Sequence, residues 1–287
     1  MARYAYVNGH YVDHRDASVH IEDRGYQLAD GVYEVVGVRD GKLIDEVPHI
    51  DRLDRSLREL RIAWPVSRPT LGFIIRELMR RNRLRDGLVY MQVTRGVARR
   101  DHAFPTTPVK PALVLTTKNT KHLGTDPGPG VAVKTHPDMR WERCDIKSVA
   151  LLPNVLAKQA ARESGAYEAW LIDGKGCITE GASTNAWIVT ADNELVTRQT
   201  DNGILAGITR GTLKKIAGDL QLKFLERPFT LAEAKKAKEA FITSAPSFVT
   251  PVVKIDGEKV GDGKPGPTAR RLREEYVRFA ATGEAVT

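Results

Sequence analysis

Arg143-Cys144-Asp145-Ile146-Lys147-Ser148-Val149-Ala150-Leu151-Leu152 sets one lysine between an isoleucine and a serine and runs directly into apolar residues. Read alone, Lys147 is one lysine among many, and a solvated side chain is a sufficient account of it. If the apolar neighbours bury it, desolvation disfavours the ammonium, lowers the amine pKa and makes it a nucleophile toward an aldehyde.

The surrounding chain of 287 residues can build one large domain or two modest ones. Lys118–Gly130 ends in Asp126-Pro127-Gly128-Pro129-Gly130, and proline and glycine both discourage regular structure. The expected division is a small N-terminal domain over 1–119, a linker over 120–130 and a larger C-terminal domain over 131–287.

Hydrophobic content of 41% with 28% charged residues is that of an ordered globular chain. No apolar run reaches the roughly 18 residues of a spanning helix, so no membrane partner is expected. Met1-Ala2-Arg3-Tyr4 lacks the apolar core of a secretory signal, and the expected location is the cytoplasm. The two cysteines, Cys144 and Cys177, are too few and too isolated for a disulfide framework or a zinc site; free thiols and no metal are expected. A net charge of +8 suits anionic metabolites, phosphates or nucleic acid, or simply a solvated basic surface. The arginines between Arg76 and Arg85 lack the interleaved aromatics that would stack bases, so nucleic acid is not expected as a partner.

Asn8-Gly9 and Asp40-Gly41 each predict a tight hairpin, over Tyr4–Val12 and over Val32–Asp45, because both residue pairs accept positive φ. Between them, Glu22–Tyr26 reads as irregular. Helices are predicted over His49–Leu60 and Thr70–Asn82, the second from Leu71, Ile74, Ile75, Leu78 and Met79 on one stripe. Leu88–Thr94 and Ala112–Thr117 read as strands, and the loop between them, Arg95–Pro111, carries Arg99, Arg100, Asp101 and His102. Later come a helix from Pro153, strands over Tyr167–Ile172, Cys177–Glu180, Thr184–Thr190 and Glu194–Thr197, a helix over Thr209–Leu220 capped by Thr209 or a neighbour, and a last helix over Pro267–Ala280.

Three further features bear on chemistry. Glu180, at a strand end before Gly181-Ala182-Ser183, is either a turn acid or a carboxylate able to approach a ring nitrogen. Gly207-Ile208-Thr209 opens a helix, an ordinary start or an anion site at the dipole's positive end. Arg52 supplies a second phosphate contact or a surface ion pair. Together an amine, a carboxylate, a helix N-terminus and an arginine are the contacts that pyridoxal 5′-phosphate demands.

With these residues in place the sequence resembles the fold-type IV pyridoxal-phosphate enzymes, and within them the D-amino-acid aminotransferases. The blocks that carry the resemblance are Gly31-Val32-Tyr33-Glu34, His49-Ile50-Asp51-Arg52-Leu53, Gln92-Val93-Thr94-Arg95-Gly96, Arg143–Ser148, Thr179-Glu180-Gly181 with Asn185, and Gly207–Arg210. The resemblance implies an α/β (α+β) chain, with a smaller N-terminal α/β domain and a larger C-terminal one of mixed sheet or barrel with flanking helices. It implies that Lys147 forms the Schiff base and moves the proton between substrate and cofactor, that Glu180 holds the pyridine nitrogen, and that Arg52 with the backbone of Ile208 and Thr209 holds the phosphate. Leu205 would pack on the ring, and Asn185, Gly207, Ser244 and Ala245 would complete the cofactor site.

Tyr33, Arg100 and His102 match the family's trap for the substrate carboxylate, which reaches in from the neighbouring subunit of a homodimer; Arg99 leaves the arginine's identity open by one residue. A guanidinium binds a carboxylate through two parallel hydrogen bonds, and a carboxylate fixed on that side directs one enantiomer's Cα–H at Lys147. The implied reaction moves an amino group from a D-amino acid such as D-alanine or D-glutamate to a 2-oxo acid such as pyruvate or 2-oxoglutarate by a ping-pong route. Branched-chain L-aminotransferase, (R)-amine transaminase and aminodeoxychorismate lyase share the cofactor residues and differ in the pocket; a basic nucleic-acid-binding protein is the reading from another class. One position departs from the family: Thr243-Ser244-Ala245-Pro246 has an alanine where a threonine hydroxyl is expected near the phosphate.

Overall fold

A computed structural model describes residues 3–120 and 128–282. Most of the expected linker, 121–127, lies outside the described residues. Of the described residues, those within Met1–Leu123, Ile146–Ala150 and Ala280–Thr287 form one compact unit, and those within Gly124–Asp145 and Leu151–Phe279 form the other.

The first unit is built on strands β1 (Tyr4–Val7), β2 (His10–Asp13), β3 (Gly31–Arg39), β4 (Lys42–Leu43), β5 (Gly87–Thr94) and β6 (Ala112–Asn119), with helices α1 (Arg24–Leu28), α2 (Glu46–Glu59) and α3 (Arg68–Asn82). The strands form one sheet in the order β2-β1-β6-β5-β3-β4, and every pairing along it is antiparallel. Asn8 and Gly9 take φ of 47° and 106°, Asp40 and Gly41 of 49° and 78°, the positive values both hairpins require. Leu53 and Leu57 of α2 and Leu71, Ile75 and Leu78 of α3 pack on Val36, Val89 and Met91 of the sheet. The stretch expected to be irregular contains α1, because the Asp23 carboxylate accepts from the backbone of Gly25 and Tyr26 and so caps a single short helix.

The second unit holds β7 (Val131–Pro137), α4 (Leu152–Glu163), β8 (Glu168–Ile172), β9 (Ile178–Gly181), β10 (Asn185–Val189), β11 (Leu195–Thr197), α5 (Ile208–Asp219), β12 (Phe224–Glu226), α6 (Leu231–Lys236), β13 (Glu239–Ser244), β14 (Phe248–Ile255), β15 (Glu258–Lys259) and α7 (Pro267–Thr282). Its nine-stranded sheet runs β12-β11-β10-β13-β14-β7-β8-β9, with β15 on β14. The sheet is mixed: β14 to β7, β7 to β8 and β11 to β12 are parallel, the rest antiparallel. Strands β8, β10 and β13 are buried nearly throughout, which explains the apolar runs Ala169–Ile172 and Ala186–Val189.

Candidate active site

The lysine segment is held by the first unit. Strand β4 covers only the far end of β3, and Ile146–Ala150 takes the edge that remains. Tyr33 N donates to Lys147 O at 3.0 Å, Val149 N donates to Gly31 O at 3.0 Å, and Ser148 bridges Val32. Ser56 on α2 accepts from Lys147 N at 3.3 Å, and the Ile146 side chain enters the core. The backbone on both sides of the amine is therefore pinned while its side chain is only half-buried.

The apolar residues after Lys147 do not enclose it. Val149 and Leu151 are themselves half-buried, and Ala150 and Leu152 are exposed. The aromatic neighbour is Tyr33, whose ring centroid lies 4.3 Å from Lys147 Nζ, a cation–π distance. Tyr33 stacks in turn on Tyr90, with centroids 5.7 Å apart. Burial pushes the Tyr90 phenol up to about 12, so it stays protonated and donates to Gln92 Oε1 at 2.7 Å.

Successive strand residues point to opposite faces, and Glu34, next to Tyr33, faces α2. There His49 and Arg52, three residues apart on the helix, converge on its carboxylate. Arg52 donates from Nε to Oε1 at 2.7 Å and from Nη2 to Oε2 at 2.9 Å, and His49 Nδ1 lies 2.8 Å from Oε2. Burial of Glu34 opposes its ionisation, but the Arg52 charge and these hydrogen bonds outweigh it and hold the carboxyl well below its ordinary range. An ionised carboxylate only accepts, so His49 carries its proton on Nδ1. Burial lowers the His49 pKa, which keeps the ring neutral. Arg52 is thus in a buried pair rather than a surface one, with side-chain exposures of 9% and 0%.

Arg99, Arg100 and His102 are exposed on the loop between β5 and β6.

The second unit supplies Glu180. It is buried at the end of β9; Asn185 Nδ2 donates to its Oε2 at 2.9 Å and Leu205 N to its Oε1 at 3.2 Å. Asn185 Nδ2 also donates to Leu205 O at 3.0 Å. Gly207 leaves room for this amide: a Cβ there would lie 2.0 Å from Asn185 Oδ1. Sequence reasoning missed Arg140, which donates from Nη1 to Glu180 Oε1. The same guanidinium gives Nε and Nη2 to Asp138, at 2.9 Å and 2.7 Å, and Nη2 also to Gly203 O at 3.0 Å. Burial raises the Glu180 pKa against the pull of this shared arginine. The one local signal for Arg140 was an aspartate two residues before it.

Helix α5 begins at Ile208, with Gly207 as its N-cap and no side-chain cap. Thr209 therefore lies inside the first turn, where its hydroxyl is 3.5 Å from Tyr276 OH, and is not the cap. Ser244 ends β13 with its hydroxyl 2.7 Å from that of Ser247, and Ala245 follows in the turn to β14. Cys144 is buried and its thiol, which donates to Trp141 O, is pushed by burial up to about 11, which leaves it inert.

Arginines of α3 and of the turn after it are paired with acids. Arg76 pairs with Glu46, Arg80 and Arg81 with Glu77, and Arg85 with Asp40.

Comparison with known proteins supplies the family. A model of the amino-transferase class IV family matches residues 31–255. The chain belongs to the class IV aminotransferases. One relative is the D-alanine aminotransferase of Staphylococcus haemolyticus, 42% identical over 274 residues and covered to 96% in each chain. The solved branched-chain amino acid aminotransferase of Escherichia coli superposes with a TM-score of 0.90 at 24% identity, over 100% of this chain and 97% of that one, a likeness of fold. The branched-chain aminotransferase of the archaeon Thermoproteus uzoniensis, solved with norvaline, gives a TM-score of 0.85 at 25% identity, over 98% and 96% of the two chains. The fold-type IV class expected from the sequence is the one found.

Proposed function

We propose that this class IV aminotransferase transfers the amino group of a D-amino acid to a 2-oxo acid with pyridoxal 5′-phosphate. The observation that carries the reading is the lysine amine held over the Tyr33 ring by backbone bonds to β3, in a chain 42% identical to a D-alanine aminotransferase.

The residues present fit the cofactor. Glu180 is a buried acid whose raised pKa suits sharing a proton with a ring nitrogen, and α5 opens on a glycine without a side-chain cap, which leaves its dipole end to an anion. When bound, the cofactor's ring supplies the electron sink that stabilises charge at the substrate Cα. Lys147 Nζ would be the group that takes and returns the proton at the substrate Cα. Glu180, steadied by Asn185 and Arg140, would hold a proton at the pyridine nitrogen. Arg52, fixed in orientation by Glu34, would hold the phosphate, as would the backbone of Ile208 and Thr209 with Ser244 and the backbone at Ala245; Leu205 and Gly207 would shape the ring's surroundings.

Tyr33, Arg100 and His102 bind the substrate carboxylate, the loop serving the neighbouring subunit of a homodimer. Among the rivals on this fold, branched-chain and (R)-amine transamination are disfavoured by Arg100 with His102. Release of pyruvate from aminodeoxychorismate without an amino acceptor would mark the lyase instead. No described helix is long and apolar enough to cross a membrane, and we place the enzyme in the cytoplasm.

The test is the visible absorption of purified protein on titration with D- and L-alanine. D-alanine is expected to bleach the cofactor band and L-alanine to leave it. Lys147→Ala is expected to abolish that band's covalent form and to slow turnover by about 10³-fold or more. Bleaching by L-alanine alone would overturn the choice of enantiomer.

A further inference from the structure

The loop that carries Arg100 and His102 is exposed at its side chains, yet its main chain is tied to buried charge. Arg24, 2% exposed, donates from Nη1 to Asp101 O at 2.6 Å and from Nη2 to His102 O at 3.5 Å, while its Nε donates to Asp30 Oδ2 at 2.8 Å. Arg95 at the loop's start grips the same aspartate, Nε to Oδ2 at 2.7 Å and Nη2 to Oδ1 at 3.0 Å. Its remaining donors go to Arg61 O at 3.0 Å and Leu60 O at 2.7 Å. The Arg95 guanidinium also lies 3.7 Å from the centroid of Phe104, further along the same loop.

The backbone repeats the pattern: Arg24 N donates to Gly96 O at 2.9 Å, Arg95 N to Asp30 O at 3.1 Å and Ala98 N to Glu22 O at 3.3 Å. Burial raises the Asp30 carboxyl, but the hydrogen bonds and charges of Arg95 and Arg24 outweigh it and leave it below its ordinary range. One carboxylate thus joins the two guanidiniums and links the start of the loop to the main chain at Asp101 and His102.

We infer that Arg24, through Asp30 and Arg95, is the positioning residue of the substrate-carboxylate loop: it sets the main chain at Asp101 and His102 and so aims Arg100 and His102. The inference rests on the reading of Arg100 and His102 as the carboxylate trap. Only a guanidinium has enough donors, in a fixed plane, to satisfy Asp30 and two successive carbonyls at once. The tie falls immediately after Arg100, so it fixes the register that distinguishes Arg100 from Arg99.

The test uses the full-length holoenzyme and steady-state kinetics with D-alanine and a 2-oxo acid. Arg24→Gln is expected to raise both KM values about 10-fold or more, with kcat at saturation within about threefold and the cofactor absorption unchanged. Arg24→Lys, which keeps the charge beside Asp30 but not the planar fork, is expected to fall between; it carries the same test if Arg24→Gln does not fold. On an Arg100→Ala background, adding Arg24→Gln is expected to cost less than about twofold more, because the group it aims is gone. An equal cost with and without Arg100, or a loss of kcat with unchanged KM, would overturn the positioning role. An unchanged KM in Arg100→Ala alone would instead remove the carboxylate trap, and Arg24's role with it; an altered KM there beside an unchanged one in Arg24→Gln would remove Arg24 only.

Discussion

Two buried glutamates, one in each unit, meet an arginine and end in opposite states. Glu34 takes both arms of Arg52 and the proton-bearing nitrogen of His49, and its carboxyl is held far down. Glu180 shares Arg140 with Asp138, receives one arm of it, and its carboxyl is raised. Burial penalises both carboxylates; two arms of Arg52 with His49 outweigh it at Glu34, and one arm of a shared Arg140 does not at Glu180. The first is suited to orienting another side chain, the second to chemistry at a ring nitrogen.

The sharpest way to break this contrast is Glu34→Gln, which removes the charge that Arg52 and His49 share. It should cost about 3–5 kcal/mol of stability, as breaking a buried pair does, measured by chemical denaturation, and should weaken cofactor retention. Glu180→Gln should do the reverse. With Asp138 still on Arg140, stability should change by about 1 kcal/mol or less, while turnover falls about 100-fold. Equal stability losses in the two variants would erase the distinction.

Titration separates the pair further. A depressed carboxyl stabilises the fold above its unfolded value of 4.5, and that stability is lost as pH falls from there toward the folded value. A raised carboxyl works in the other direction: the folded state binds the proton more tightly, so acidification through the folded value toward 4.5 removes the cost of burying the Glu180 charge. Stability measured against pH should lose its low-pH decline at this site in Glu34→Gln and the opposite slope in Glu180→Gln. The smallest effect is expected at the cup: Ala245→Thr should slow cofactor loss on dialysis by the worth of about one hydrogen bond, near 1 kcal/mol. Equal loss rates would dismiss Ala245 as a determinant.

What could be read beforehand was local. The Asn8-Gly9 and Asp40-Gly41 turns, the stripe of α3 and the proline-led start of α4 depend on residues a few positions apart, and each was legible. The short α1 was not, because one capping aspartate makes it and no apolar period announces it. Lys147, Glu180 and Arg52 stood out by family resemblance, but what holds them did not. Arg140 is 40 residues from Glu180, and Arg24 is 77 from Asp101. Such pairs leave no periodic trace. The apolar run after Lys147 left its burial open for a similar reason: edge pairing with β3, not the hydrophobicity of its neighbours, settles the lysine's backbone.

That edge pairing has a consequence for how the protein can be made. On a ribosome, β3 emerges long before Ile146–Ala150, so the first unit must wait with an open edge until the chain has gone on into the second and come back. Two fragments divided between Thr120 and Gly128 would carry the lysine away from the strand that holds it, leaving it on the fragment that lacks β3. Neither half could then place the amine alone, and recovery of the pinned lysine on mixing would report reunion of the halves.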